Sequence, residues 1–169
     1  TTIITISQAL ILNCKFEMLI VMCEVGNLCT LYSCNAEIED VVENRVVTAV
    51  NGMHNGNYTN NEVGYLEISG TKRLSYFPKG VEMFFPFLKG IYITANLKTL
   101  NGDELKPFAN LTQLVIAENQ NLEKIPGNLF DYNPMMESIW FNSNKIKYVG
   151  DNLLKSLSHL RRADFSNNL

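Results

Sequence analysis

The sequence predicts an α/β solenoid, a stack of repeated units that each contribute one short strand. Asparagine recurs at intervals of 23, 25 and 24 residues, and each asparagine follows a hydrophobic residue by eight positions in the frame L-x-x-L-x-L-x-x-N. A fixed period in the twenties is typical of a solenoid. The four frames begin at Leu88, Leu111, Met136 and Leu160 and end at Asn96, Asn119, Asn144 and Asn168.

The four asparagines predict a hydrogen-bonded ladder. In this frame the apolar positions form a short strand that points into the core, and the following carboxamide can bond backbone groups of its own and the neighbouring unit. One asparagine would be explained by the general preference of this residue for turns. Four in the same frame indicate a ladder that leaves no buried amide unpaired.

Further apolar rows repeat with the same period and extend the array toward the N terminus. A weaker unit begins at Val63, continues through Leu66 and Ile68, and has Thr71 where the asparagine should be. Residues 63–169 are therefore predicted to form four to five repeats without a C-terminal cap, enough for a continuous core. The two further rows are Phe85, Phe108, Phe130 and Leu154, and Phe77, Leu100, Ile125 and Val149.

Composition limits the classes of partner. The 169 residues are 46 % hydrophobic and 18 % charged, with a net charge of −3, as expected of a globular or repeat domain. This balance argues against nucleic acid and anionic membranes as partners. Lys15, Glu17 and Glu24 interrupt the apolar N-terminal stretch before it reaches the length of a membrane span, so none is predicted.

All four cysteines lie near the start of the chain, at Cys14, Cys23, Cys29 and Cys34. Residues 1–62 are therefore predicted to form a disulfide-containing cap, because the first unit of a repeat array needs cover for its exposed core. A nested pairing of Cys14 with Cys34 and Cys23 with Cys29 is preferred, because it closes a tight loop around Gly26 and Asn27. Free core thiols are the alternative, and the spacings lack the C-x-x-C motif of metal sites.

Two further features bear on the cellular compartment. Residues 1–9 (TTIITISQA) fit either the remnant of a secretory signal peptide or an edge strand of the cap. Asn57 and Asn110 each begin an N-x-T glycosylation motif. Together with the clustered cysteines, these motifs predict a secreted or extracellular glycoprotein.

The stretch from Cys14 to Leu169 resembles secreted insect leucine-rich-repeat proteins, which share their architecture with Toll-like receptor ectodomains. The residues that carry the resemblance are the C-K-F head at 14–16, L-Y-S-C at 31–34, V-G-Y-L-E-I at 63–68 and L-L-K-S-L-S-H-L-R-R at 153–162. The resemblance implies a leucine-rich-repeat horseshoe with a parallel sheet on its concave face. It also implies that this face binds a protein, with innate immunity, a receptor-like function or cell adhesion as the setting. The pair Cys23 and Cys29 departs from the pattern.

No catalytic constellation stands out. His54 and His159 lie apart from any nucleophile at a motif spacing, and short acidic runs such as Asp103-Glu104 are typical of a solvated surface. The chain is therefore predicted not to be an enzyme, with no cofactor, no metal and no catalytic residue.

The predicted binding surface is the strand face that points away from the core, since successive side chains of a strand alternate in direction. Trp140 is the only tryptophan, and tryptophan, tyrosine and arginine are enriched at interface hot spots. An aromatic row can also simply stabilise a sheet through cross-strand pairs. The predicted ligand-binding residues are Tyr65, Glu67, Tyr92, Val115, Trp140, Asn142, Arg162 and Asp164.

The sequence thus predicts an extracellular recognition module that binds a protein ligand of unknown identity through this face. The alternative is a structural or assembly protein that oligomerises through its cap or through the open edge of the array.

Overall fold

A computed structural model describes residues 9–24, 27–38, 45–71 and 74–169. Its main feature is an eight-stranded mixed sheet with the strand order β10-β8-β6-β5-β4-β2-β1-β3. A small second sheet pairs β7 with β9. The strands are β1 Leu10–Glu24, β2 Asn27–Glu37, β3 Val47–Asn51, β4 Val63–Ile68, β5 Gly90–Thr94, β6 Gln113–Ala117, β7 Lys124–Ile125, β8 Ser138–Trp140, β9 Tyr148–Val149 and β10 Arg162–Asp164.

The predicted α/β class is wrong, because the fold is built mostly of strands. Among the described residues the only α-helix is α1, Gly102–Leu105, and two 3₁₀ helices span Asn60–Glu62 and Val81–Met83. The sheet is also not purely parallel, since β1 and β2 form an antiparallel hairpin. The connecting segments contain Gly and Pro, as at Pro126-Gly127 and Pro134, which break a helix before it can propagate.

The repeat frame does set the pairing of β4, β5, β6, β8 and β10, all of which are parallel. Leu66, Ile91, Leu114, Ile139 and Ala163 lie side by side in adjacent strands. The first four of these side chains are fully buried. The 23 to 25 residue spacing therefore corresponds to one strand step across the sheet.

The two further apolar rows are buried except at their last members. Phe85, Phe108 and Phe130 are buried, but Leu154 is exposed and the chain buries Leu153 and Leu157 instead. Likewise Val149 is exposed while Ile125, its partner in β7, is fully buried. The period therefore places an apolar residue at these two positions, but within the described chain no following unit packs on them.

The cap differs from the repeats in its strands. The β1–β2 hairpin is much longer than any repeat strand, and only part of it joins the sheet: β1 pairs with β3 through Leu10–Asn13, and β2 pairs with β4 through Tyr32–Asn35. The rest of the hairpin extends beyond its neighbours. Along one face of β1, Leu12 and Phe16 are buried, whereas Met18 and Ile20 are exposed.

Candidate binding surface

One column of side chains crosses the outer face of the main sheet, the face that points away from the core. Strand registers place Glu67 beside Tyr92, Tyr92 beside Val115, Val115 beside Trp140 and Trp140 beside Asp164. Neighbouring strands lie about 4.8 Å apart, so Tyr92, Val115 and Trp140 form an apolar stripe about 10 Å long. We call these five residues the central column.

The central column is half-buried rather than open. All five of its residues, including Trp140, have intermediate exposure. Trp140 lies on the outer face as predicted by the strand alternation, but it is partly covered within the chain itself. Enough of each side chain remains accessible to contact a partner, and the partial burial reduces the number of rotamers that binding must restrict.

A flanking column runs through Tyr65, Gly90, Gln113, Ser138 and Arg162. Tyr65 was predicted to be an exposed binding residue, but only 5 % of it is accessible. Its ring lies over Gly90, where an added Cβ atom would collide with the ring, so glycine at this position makes room for the tyrosine. Burial raises the pKa of the Tyr65 phenol, and the nearby groups of Glu67 and Tyr92 add to the shift.

Arg162 connects the two ends of the fold. Its Nη1 atom contacts the Sδ atom of Met22, near the tip of the β1–β2 hairpin, although Arg162 lies in the strand at the opposite edge of the sheet. The hairpin therefore reaches across the strands of the repeats, and its tip borders the outer face. Any ligand on the central column would share this space with the hairpin.

The charged end of the column is held in place locally. The Asp164 carboxylate accepts a hydrogen bond from the Ser166 backbone N–H at 2.8 Å. Hydrogen bonds from the Ser166 hydroxyl and backbone hold the pKa of Asp164 below its usual value, so this end of the column carries a negative charge at neutral pH. Asn142 lies beside the column, half-buried, with its Nδ2 atom 3.4 Å from the Ser143 hydroxyl.

The predicted asparagine ladder corresponds to a set of hydrogen bonds between neighbouring repeats, which are buried at Asn119 and Asn144. Asn119 Oδ1 accepts from the Leu97 N–H at 2.9 Å, and Asn144 Oδ1 accepts from the Asn119 N–H at 2.8 Å. Asn168 Oδ1 accepts from the Ile146 N–H at 3.0 Å. Asn96 differs, because its side-chain oxygen accepts from the Asn121 carboxamide at 2.6 Å.

The predicted cysteine pairing is confirmed for Cys14 and Cys34, which form a disulfide with Cα atoms 5.1 Å apart. Cys29 is also disulfide-bonded. The side chain of its predicted partner, Cys23, lies outside the described part of the structure, as do residues 1–8 of the predicted signal remnant. The glycosylation candidates Asn57 and Asn110 are both exposed.

Sequence reasoning missed an aromatic cluster that organises the cap. The rings of Phe16 and His54 stack at 3.9 Å between centroids, and those of Tyr32 and Tyr58 at 4.4 Å. His54 Nε2 donates to the Asn60 carboxamide oxygen at 3.0 Å, which leaves Nδ1 to accept from the Tyr32 hydroxyl at 3.1 Å. The cluster fastens the loop that carries Asn57 to the hairpin. No local motif signals it.

Asn133 was missed for a similar reason. Its buried Nδ2 atom donates to the carbonyl oxygens of Leu105 and Phe108, at 3.0 and 2.8 Å. It lies outside the repeat frame, so the period does not reveal it. Within the described ranges no three His, Cys, Asp or Glu side chains lie close enough together to hold a metal ion.

No helix within the described residues is long and apolar enough to cross a membrane. No protein-family model matches the sequence, and no curated protein matches it either.

Proposed function

We propose that this chain is an extracellular protein-recognition module, akin to secreted leucine-rich-repeat proteins, that binds a protein ligand through the central column. The observation that carries the proposal is the register of the five parallel strands, which aligns Tyr92, Val115 and Trp140 between the carboxylates of Glu67 and Asp164. An aromatic and apolar centre with a polar rim is the usual anatomy of a protein interface.

The disulfide and the exposed glycosylation motifs support an extracellular location. A disulfide such as Cys14–Cys34 persists in oxidising compartments and is rare in the cytosol. Asn57 and Asn110 are exposed, as a glycosylation acceptor must be. An innate-immune, receptor-like or adhesion setting belongs to the same proposal and rests on the resemblance alone.

The test compares Trp140→Ala with Lys155→Ala, an exposed position away from the outer face. Partners captured from native extracellular fluid by the wild-type chain would be identified, and their affinity for each variant measured. We expect Trp140→Ala to weaken binding by about 2 kcal/mol, which is about thirtyfold in Kd, while Lys155→Ala has no effect. Circular dichroism of both variants checks that the fold is retained.

Equal affinity of the two variants would show that the central column only stabilises the sheet through cross-strand contacts. Binding would then have to be sought on another surface.

An assembly role is the second candidate, and exposed apolar side chains on the hairpin favour it. Ile20 and Leu28 are 66 % and 69 % exposed. Sedimentation over a range of concentrations would test this role: a dimer that Ile20→Ser with Leu28→Ser abolishes supports assembly, and a monomer at all concentrations contradicts it.

A further inference from the structure

We propose a second binding site, separate from the central column, that takes an acidic oligosaccharide. The site is a groove of about 480 Å3 beside the small β7–β9 sheet. We call it the lysine groove, after the two lysines among the residues that line it. The lining residues that the argument uses are Lys98, Thr99, Asn101, Asn121, Lys124 and Tyr148.

Strand pairing brings one of these lysines, Lys124, close to the aromatic side chain of Tyr148. Lys124 of β7 and Tyr148 of β9 are partners in the parallel pair, so their side chains lie one strand apart. Lys98 comes from the preceding repeat, where its backbone N–H bonds the Ser75 carbonyl oxygen at 3.0 Å. Three successive repeats therefore line the groove: the first supplies Lys98, the second Lys124 and the third Tyr148.

The groove is positively charged although the chain carries a net charge of −3. Its one carboxylate, Glu123, forms an ion pair with Lys147 at 2.9 Å. Among the described residues Lys98 and Lys124 form no ion pair. Lys98 Nζ lies 5.7 Å from the centre of the Tyr76 ring, and the Arg45 guanidinium lies 3.5 Å from the centre of the same ring. The uncompensated cations select an anionic ligand.

The remaining lining selects a carbohydrate among anionic ligands. Leu100 and Ile125 form a buried apolar floor. Tyr148 is 55 % exposed, so a flat sugar ring with apolar C–H faces can pack on it. Asn101, Asn121 and Thr99 carry groups that both donate and accept hydrogen bonds, as sugar hydroxyls do. Asn121 is also oriented by its 2.6 Å hydrogen bond to Asn96.

Other anions fit less well. Phosphopeptide sites rely on arginine forks that hold the phosphate in a bidentate manner, whereas the groove offers lysines, which act as point charges. A long nucleic acid needs an extended basic surface, which a chain of net charge −3 does not provide. A short acidic sugar with sulfate or carboxylate groups matches both the charge and the hydrogen-bonding groups of the lining.

Calorimetric titration of the whole chain tests the proposal with four probes. These are a heparin-derived hexasaccharide, a hyaluronan-derived hexasaccharide, neutral maltohexaose and a hexaglutamate peptide. We expect at least one acidic hexasaccharide to bind and the neutral sugar and the peptide to bind at least tenfold more weakly. The first hexasaccharide carries sulfates and the second only carboxylates, so their relative affinity identifies the anionic group.

A charge-matched pair of variants locates the site. We expect Lys98→Gln with Lys124→Gln to weaken binding of the acidic hexasaccharide about tenfold, because both cations that would pair with its anionic groups are removed. The control, Lys89→Gln with Lys155→Gln, removes the same charge from exposed positions outside the groove and should leave the affinity within about twofold. Tyr148→Ala should weaken sugar binding further and leave hexaglutamate unchanged.

Three results would overturn the proposal. They are no binding of either acidic hexasaccharide, equal loss of affinity in the two double variants, or hexaglutamate binding as tightly as the sugars. None of them bears on the Trp140 comparison, because the central column and the lysine groove share no residue.

Discussion

The repeats, residues 63–169, and the cap, described at residues 9–24, 27–38 and 45–62, are held together in different ways. In the repeats successive units bury equivalent positions, as at Ile91, Leu114 and Ile139, and asparagine side chains such as Asn119 bond backbone groups of the neighbouring unit. In the cap a disulfide, Cys14–Cys34, and one aromatic cluster around His54 join segments distant in the sequence. Stability is distributed in one region and concentrated at a few contacts in the other.

This difference follows from position in the array. A repeat has a neighbour on each side and obtains its core from both, so ordinary apolar side chains suffice. Within the sheet the cap adjoins the repeats where β2 pairs with β4, and part of its hairpin extends past β4 with Met18 and Ile20 exposed. Covalent and specific polar contacts compensate for the smaller core.

The largest expected effect is at the centre of the repeats. Leu114 is fully buried between Ile91 and Ile139 in the adjacent strands. We expect Leu114→Ala to lower the free energy of unfolding by about 2–5 kcal/mol, because a cavity remains where the side chain was. Val115→Ala, at the next position but on the outer face, should cost less. A loss below about 1 kcal/mol in chemical denaturation would contradict the assigned register.

Removing the cap disulfide should have the next largest effect, and it should be local. Cys14 and Cys34 are 20 residues apart. Cys14→Ala with Cys34→Ala should lower the free energy of unfolding by about 3 kcal/mol, because the unfolded chain gains conformational entropy without the crosslink. Hydrogen exchange measured by mass spectrometry should show faster exchange in the β1–β2 hairpin than in β5 and β6. An equal increase in both regions would mean that the chain unfolds as one unit.

Removing one asparagine of the ladder should lower the stability somewhat less. Asn119→Ala removes the acceptor for the buried Leu97 N–H and the donor to the Ala117 carbonyl oxygen. We expect a loss of about 2 kcal/mol in urea denaturation, because a buried unpaired polar group costs about 1–3 kcal/mol. The exposed neighbour Gln120, changed to alanine, is the control. Matching values for the two variants would show that water replaces the lost bonds.

The smallest effect is expected in the aromatic cluster of the cap. Tyr32→Phe keeps the stacked ring but removes the hydroxyl that accepts from the Asn55 N–H at 3.1 Å and bonds His54. We expect Tyr32→Phe to lower the free energy of unfolding by about 1 kcal/mol. We also expect faster proteolysis of the loop around Asn57, measured by timed digestion. Tyr58→Phe should be neutral, since the Tyr58 hydroxyl makes no hydrogen bond to any residue that the structure describes. A cleavage rate unchanged by Tyr32→Phe would show that stacking alone holds the loop.

The candidate site was predictable only in part. The period placed Glu67, Tyr92, Val115, Trp140 and Asp164 in one column, because strand alternation and a constant repeat length determine which side chains become neighbours. The exposure of each residue was not predictable. Tyr65 has the same position in its strand as Arg162, yet it is buried. Its ring fills the space left by the missing side chain of Gly90 in the next strand.

The sequence by itself determined the repeat: the buried positions, the parallel pairing and the asparagine bonds all follow from residues at a fixed spacing. The tertiary structure decided what depends on contacts between segments far apart in the chain. These contacts include the reach of the hairpin to Arg162, the loop fastened by His54 and the carbonyl oxygens bound by Asn133. The connections between strands form mostly turns rather than helices, because prolines and glycines stop a helix from propagating. The buried side chains of Phe85, Phe108 and Phe130 hold these connections by packing. A periodic pattern records interactions that every unit repeats, whereas contacts made only once leave no pattern to read.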